Sequence, residues 1–185
     1  MSKEKSVEII LNRFSEYPFD ELSKIFVDAS KSLESKGFQK IADSIANSLH
    51  LICYDQERSA SFFKMTKRHI QFEMSLPRPD FGKYDYRVRE KYHHVAKELG
   101  FIEGVVGNVG IASAFEEFSS LLEGEGELSG KTIGNADSTQ IKVFKKHIRI
   151  SMTQPVMDAL MSYLYQYKSS HIKLKQIQHA SLLAA

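Results

Sequence analysis

One eleven-residue stretch occurs twice in this chain, first as KRHIQFEMSLP at residues 67–77 and again as KKHIRISMTQP at residues 145–155. Five of the eleven positions are identical, and the two copies lie 78 residues apart. In each copy apolar and polar residues alternate, and each copy ends at a proline. This alternation predicts a half-buried β-strand, and the proline ends it because proline has no N–H to donate. The repeat therefore predicts two equivalent strands, each leading into a helix.

The alternation also predicts which side of each strand is buried. The first strand is expected from about Phe63 to Leu76 and the second from about Gln140 to Met152. Two strands alone make a marginal sheet, so further strands or a second chain should complete it. The positions expected to face the core are Ile70, Phe72, Met74, Leu76, Phe144, Ile148, Ile150 and Met152.

The first 60 residues are predicted to be helical. Apolar residues recur at helical spacing over residues 3–15, then from Asp20 to Gly37, and again from Phe38 to Cys53. We expect three helices that pack into a core, separated by Tyr17-Pro18 and by Gly37. The fold class is therefore α+β: N-terminal helices followed by a duplicated helix–strand–helix unit with a small antiparallel sheet.

At 185 residues the chain is predicted to form a single domain over residues 1–185. Its predicted parts are a helical segment at 1–60, the first repeat strand and helix at 61–101, an acidic, glycine-rich segment at 102–140, and the second repeat strand, helix and tail at 141–185.

The composition is typical of an ordinary globular protein, with 42% hydrophobic and 26% charged residues. The single cysteine, Cys53, cannot form an intrachain disulfide, which fits a reducing compartment. No apolar run approaches the length of a membrane span, and no signal-peptide core follows the N-terminus. We therefore expect a cytoplasmic protein that does not insert into membranes.

Positive charge is concentrated around the two copies of the repeat. Residues 61–101 and 141–185 carry net charges of +4 and +6, whereas residues 102–140 carry −6. Copies lying side by side would form one basic surface, which would attract nucleic acid, an anionic membrane or an acidic protein. The alternative is a solvated face partly neutralised by the acidic segment. The candidate nucleic-acid face consists of Lys67, Arg68, Arg87, Arg89, Lys145, Lys146 and Arg149.

Each copy also contains one histidine, His69 in the first and His147 in the second. Two histidines on equivalent strands resemble the two-histidine phosphoesterases, which gives phosphodiester cleavage as an alternative function. The hydroxyl residue that this family places two positions after each histidine is replaced here by Gln71 and Arg149. This alternative requires both histidines to face one cleft. No sequence motif supports a metal site, and no cofactor is expected.

The second copy and the residues that follow it resemble a known family. Residues 148–153, IRISMT, and residues 156–161, VMDALM, are similar to the strand-to-last-helix segment of IcmS, a small adaptor of the Dot/Icm type IVB secretion system. The resemblance implies a cytosolic, non-catalytic adaptor of the coupling complex, in the class of IcmS, IcmW and LvgA. Such proteins bind the tail of the coupling ATPase and effector proteins.

The leading hypothesis from the sequence is therefore a non-enzymatic, protein-binding adaptor or chaperone. It would capture an extended or helical segment of a partner protein, at an open sheet edge or in an apolar groove. The predicted partner-binding residues lie in the last helix and the tail: Leu160, Leu164, Tyr167, Ile172, Leu182 and Leu183.

Overall fold

The computed structural model of the chain describes residues 19–53, 62–77, 79, 83–107, 109–124, 126 and 128–177. The helix predicted over residues 3–15 lies outside the described residues, as do Leu182 and Leu183 of the predicted partner-binding set. The structure divides the chain into two compact units, Met1–Gln39 and Lys40–Ala185.

The described part of the chain contains four α-helices: α1 Phe19–Ser48, α2 Tyr86–Val106, α3 Ile111–Glu123 and α4 Gln154–Tyr167. The predicted break at Gly37 is wrong, because α1 runs through it without interruption. A glycine in a helix interior costs only about 1 kcal/mol relative to alanine, and the neighbouring Lys36, Gln39 and Lys40 are good helix formers.

One sheet contains six strands of the described chain: β1 Phe62–Met65, β2 His69–Ser75, β3 Thr132–Gly134, β4 Thr139–Val143, β5 His147–Thr153 and β6 Gln176–Ile177. Their order is β3-β4-β5-β2-β1-β6. Neighbouring strands from β3 to β1 pair antiparallel, and the short β6 pairs parallel with β1. The predicted α+β fold class with an antiparallel sheet is confirmed.

Each predicted repeat strand is instead a β-hairpin. Residues 62–75 form β1, a turn and β2, and residues 139–153 form β4, a turn and β5. Both turns close in the same way: the N–H of Thr66 donates to the carbonyl of His69, and that of Phe144 to the carbonyl of His147, each at 2.8 Å. The sequence contains a signal for the turns: Phe63 and Met65, like Ile141 and Val143, occupy odd positions before each turn, whereas the buried apolar residues after each turn occupy even positions. A continuous strand would place these two sets on opposite faces.

The two hairpins are related by an approximate twofold axis. β2 pairs with β5 so that Phe72 lies opposite Ile150, which is its own counterpart at the 78-residue offset. The register within the first hairpin, where Lys64 faces Gln71, is reproduced in the second, where Lys142 faces Arg149. The repeat in the sequence is therefore also a repeat of structure, with a hairpin and the following helix as its unit.

The helices and one face of the sheet bury a common core. Phe72 and Ile150 are buried at its centre, and the ring of Tyr92 on α2 meets that of Phe118 on α3 edge to face, with centroids 4.8 Å apart. The second half of α1 contributes fully buried residues, among them Ile45. The residues on the opposite face of the sheet are mainly polar, and most are exposed or half-buried.

We expect Gly37→Ala to stabilise α1 by about 0.5–1 kcal/mol, because alanine restricts the unfolded chain and suits a helix interior. An added Cβ meets nothing within 4 Å at Gly37. The matched control is Gly130→Ala, where the space is equally open but φ is +91°. That change should destabilise by about 1 kcal/mol. Amide hydrogen exchange over α1 and the unfolding midpoint measure both effects; loss of protection in Gly37→Ala would indicate a break in the helix.

Candidate functional site

The predicted partner-binding residues of the last helix belong to the core. Leu160 and Leu164 are both 0% exposed and Ile172 is 6% exposed. The ring of Tyr167 is half-buried, with its centroid 4.8 Å from that of Tyr163. This part of the sequence prediction is corrected, because the apolar face of α4 covers the sheet of its own chain and a partner could reach it only after unfolding.

Substitutions of Leu164 and of its neighbour Tyr165 test whether the apolar face of α4 is buried. Leu164→Ala should lower the free energy of unfolding by about 2–5 kcal/mol, since it opens a cavity in the core. Its neighbour Tyr165 is 55% exposed, so Tyr165→Ala should change stability by only about 0.5 kcal/mol. Chemical denaturation measures both. Equal, small effects would show that Leu164 lies on a free surface.

Large apolar side chains are exposed instead on the first half of α1. Residues 24–37 are all exposed. Ile25, Phe26, Ala29 and Leu33 recur at helical spacing and share one side of the helix, and we refer to them as the α1 stripe. Ile25 is 54% exposed and Leu33 is 70% exposed. The helical periodicity of these residues is visible in the sequence, where it predicts a helix packed into the core. The same periodicity is found in a buried helix and in a helix that docks on a partner, so the sequence does not distinguish them.

A second surface lies on the polar face of the sheet. Phe144 stacks on His147, with ring centroids 4.5 Å apart and an interplanar angle of 12°. The guanidinium carbon of Arg149 is 5.0 Å from the Phe144 centroid, and the Nζ atom of Lys142 is 5.6 Å from it. Phe144 was predicted to face the core. Its side chain lies on the polar face because Phe144, like Gln140 and Lys142 of β4, is at an even position. The side chains at these positions point away from the helices.

Glu73 and Arg149 lie directly opposite each other in the central strand pair of this face. Arg149 donates two hydrogen bonds to Oε1 of Glu73, from Nε at 2.9 Å and from Nη2 at 2.6 Å. The Nε2 atom of His147 is 3.8 Å from the other carboxylate oxygen. The Arg149 hydrogen bond is the main cause that lowers the pKa of Glu73, and the charges of Arg149, His147 and Lys64 act in the same direction.

The lowered pKa of Glu73 gives the hairpin pair a pH-dependent contribution to stability. The carboxylate binds fewer protons in the folded state, so its contribution is present above the unfolded pKa and is lost as pH falls through the folded pKa. Arg149→Gln should raise the Glu73 pKa towards its ordinary value, as measured by NMR titration of the carboxyl carbon. Lys64→Gln, which removes a weaker cause, should move it less. An equal shift in both variants would contradict the dominant role of the Arg149 hydrogen bond.

The predicted basic face is divided by the antiparallel pairing. Lys67-Arg68 lies in the β1–β2 turn and Lys145-Lys146 in the β4–β5 turn, at opposite ends of the sheet. These ends are about 20 Å apart along the strands, and Arg149 lies between them. Arg87 and Arg89 lie on α2, outside the sheet; the guanidinium carbon of Arg89 is 5.8 Å from the ring centroid of Tyr86. The structure therefore forms a basic track along the sheet rather than one compact patch.

The two histidines do not share a cleft. His69 lies opposite Thr153, six residues along β5 from His147, so the two side chains are on one face but about 20 Å apart. The Nε2 atom of His69 is 2.8 Å from the carbonyl of Ala136. A single phosphodiester is too small to touch both histidines, so the paired-histidine site is corrected.

Among the residues that the structure describes, no group of three or more His, Cys, Asp or Glu side chains is placed to hold a metal ion. No helix among the described residues combines the length and the apolar character that a membrane span needs.

Comparisons with family models, with curated proteins and with solved structures return no match for this chain. The geometry itself defines the class: an α+β protein with helices on one face of an antiparallel sheet, a polar sheet face on the other side, and an exposed apolar stripe on α1.

Proposed function

We propose that the protein is a non-catalytic adaptor or chaperone that binds another protein through the α1 stripe. The observation that carries this proposal is the exposure of large apolar side chains on one side of the helix, with Ile25 at 54% and Leu33 at 70%. Contiguous apolar residues exposed in this way are typical of protein contact sites.

The physical argument concerns what stabilises a helix. Most helical stability in proteins comes from packing an amphipathic face rather than from the backbone alone. Ile25, Ala29 and Leu33 are spaced four residues apart, which is the spacing by which one amphipathic helix anchors another or enters an apolar groove. Burial of an Ile or Leu side chain contributes about 1.5–3 kcal/mol. A helical segment of a partner that covers this side would therefore add apolar packing to the helix.

The resemblance to IcmS-like adaptors supports the same proposal. Residues 148–161 contain most of β5 and the beginning of α4, which is the last helix of the described chain. On this proposal the protein works in the cytoplasm, and its partner is a segment of a type IVB secretion coupling complex or of an effector presented to it.

Leu33→Asp should remove partner binding, because it places a charge within the apolar contact. The matched control is Ser35→Asp, which introduces the same charge on the other side of the helix, about 200° away. Both positions are exposed, so both variants should retain the wild-type far-UV circular dichroism spectrum. The measurement is nuclease-treated co-purification of tagged full-length protein from its native cytoplasm, with partners quantified by mass spectrometry.

The expected result is a stoichiometric protein partner that is present with wild type and Ser35→Asp and lost with Leu33→Asp. A photo-crosslinker at position 33 should then attach to a segment of that partner that is amphipathic as a helix. Unchanged recovery of every partner by Leu33→Asp would overturn the proposal. Crosslinking only to other copies of this chain, or only to its own residues before position 19, would also overturn it.

A further inference from the structure

The two hairpins of the sheet have a strongly one-sided charge. Residues 62–75 and 139–153 contain seven basic side chains and one acidic side chain. The acidic one is Glu73, which is already engaged by Arg149. The remaining basic residues are Lys64, Lys67, Arg68, Lys142, Lys145 and Lys146. This part of the surface is therefore complementary to an extended polyanion.

These charges are arranged in a line. Arg149 and Lys142 face each other across β5 and β4 on the polar face, and the two basic turns extend the line to both ends of the sheet. The track is about 20 Å long because β2 and β5 are antiparallel and each contributes seven residues. A linear series of cations suits a ligand whose negative charges repeat along a chain.

Four of the five described acidic side chains of residues 102–140 lie on helices, and the fifth, Asp137, lies in the β3–β4 turn. Helix α3 packs with the buried face of the sheet through residues such as Phe115 and Phe118, which are fully buried. The exposed carboxylates of α3, Glu116, Glu117 and Glu123, belong to the helix layer, and Glu117 accepts a hydrogen bond from the backbone N–H of Gly134 in the edge strand β3. Asp137 follows Ala136, whose carbonyl oxygen is 2.8 Å from Nε2 of His69, so this one carboxylate offsets part of the positive charge at the Lys67–Arg68 end of the track.

A stacked pair of rings lies within the basic track, and the side chains of Arg149 and Lys142 lie over the Phe144 ring. The Phe144 and His147 rings are nearly parallel, and both side chains are half-buried. Aromatic rings beside cations are the platforms on which proteins stack unpaired bases, and stacking requires bases that are not already within a duplex. An acidic protein segment would be attracted by the charges but has no need of a stacking surface. A second copy of the same face would be repelled by like charge.

We propose that this face binds single-stranded nucleic acid, with a base stacked on the His147 ring, which packs against Phe144, and the phosphates held by the basic residues of the two hairpins. Lys145 and Lys146 hold the strand at one end, and Lys67 and Arg68 hold it at the other. The site uses none of the residues of the α1 stripe and does not depend on the proposed adaptor function.

The test is fluorescence anisotropy of a labelled twelve-nucleotide single strand, as RNA and as DNA, with full-length protein over a series of salt concentrations. Wild type should bind the single strand more tightly than a duplex of the same sequence. Phe144→Leu should weaken binding roughly tenfold while leaving the salt dependence unchanged, because it removes the ring against which His147 packs and does not change the charge. Lys145→Gln/Lys146→Gln should reduce the slope of log K against log salt by about 1.4, since each phosphate contact on a single strand contributes about 0.7.

Two controls separate this site from general attraction to a basic protein. Lys31→Gln/Lys36→Gln removes the same charge from exposed positions of α1 and should leave the slope unchanged. Leu33→Asp should bind the oligonucleotide as wild type does, so that a failure of the adaptor proposal is distinguished from a failure of this one. The site would be disproved by no binding at low salt, by equal affinity for duplex and single strand, by Phe144→Leu binding as wild type does, or by equal losses in the two double-lysine variants.

Discussion

The antiparallel pairing of β2 with β5 is the constraint on which the rest of the structure depends. It joins strands that are 78 residues apart in the sequence, and it is centred on Phe72 and Ile150, which are equivalent positions of the repeat. Because side chains alternate in a strand, this register places every apolar position of both strands on one face. A shift of one residue would move the buried set of one strand to the solvent face and remove the surface on which α4 packs.

The same register also determines the chemistry of the polar face. It places Glu73 opposite Arg149, so the acidic side chain in the centre of the sheet is paired with a guanidinium. It separates the two basic turns by the length of a strand, because the twofold relation turns one hairpin end to end relative to the other. The basic residues of the two copies are therefore spread along the sheet, and the two histidines are too far apart to share a cleft.

The sequence and the structure agree most closely where a local pattern has only one physical outcome. The alternation predicts strands from about Phe63 to Leu76 and from about Gln140 to Met152, and the structure buries their predicted core positions apart from Phe144. The sequence prediction lacks the hairpin turns because it places the residues before and after each turn in one continuous strand. The change from odd to even apolar positions marks the turn. The predicted binding role of Leu160 and Leu164 failed because an apolar helix face is equally suited to its own core and to a partner.

The sequence by itself determined the repeat, the α+β fold class and the separation of charge along the chain, because these follow from composition and from periods of 2 and 3.6 residues. Only the tertiary structure decided which apolar faces are covered, as it did for Leu164 in the core and for Leu33 on the exposed side of α1. It also placed Phe144 among cations rather than in the core. These outcomes depend on strand register and on contacts between residues distant in the chain, and local periodicity does not contain that information.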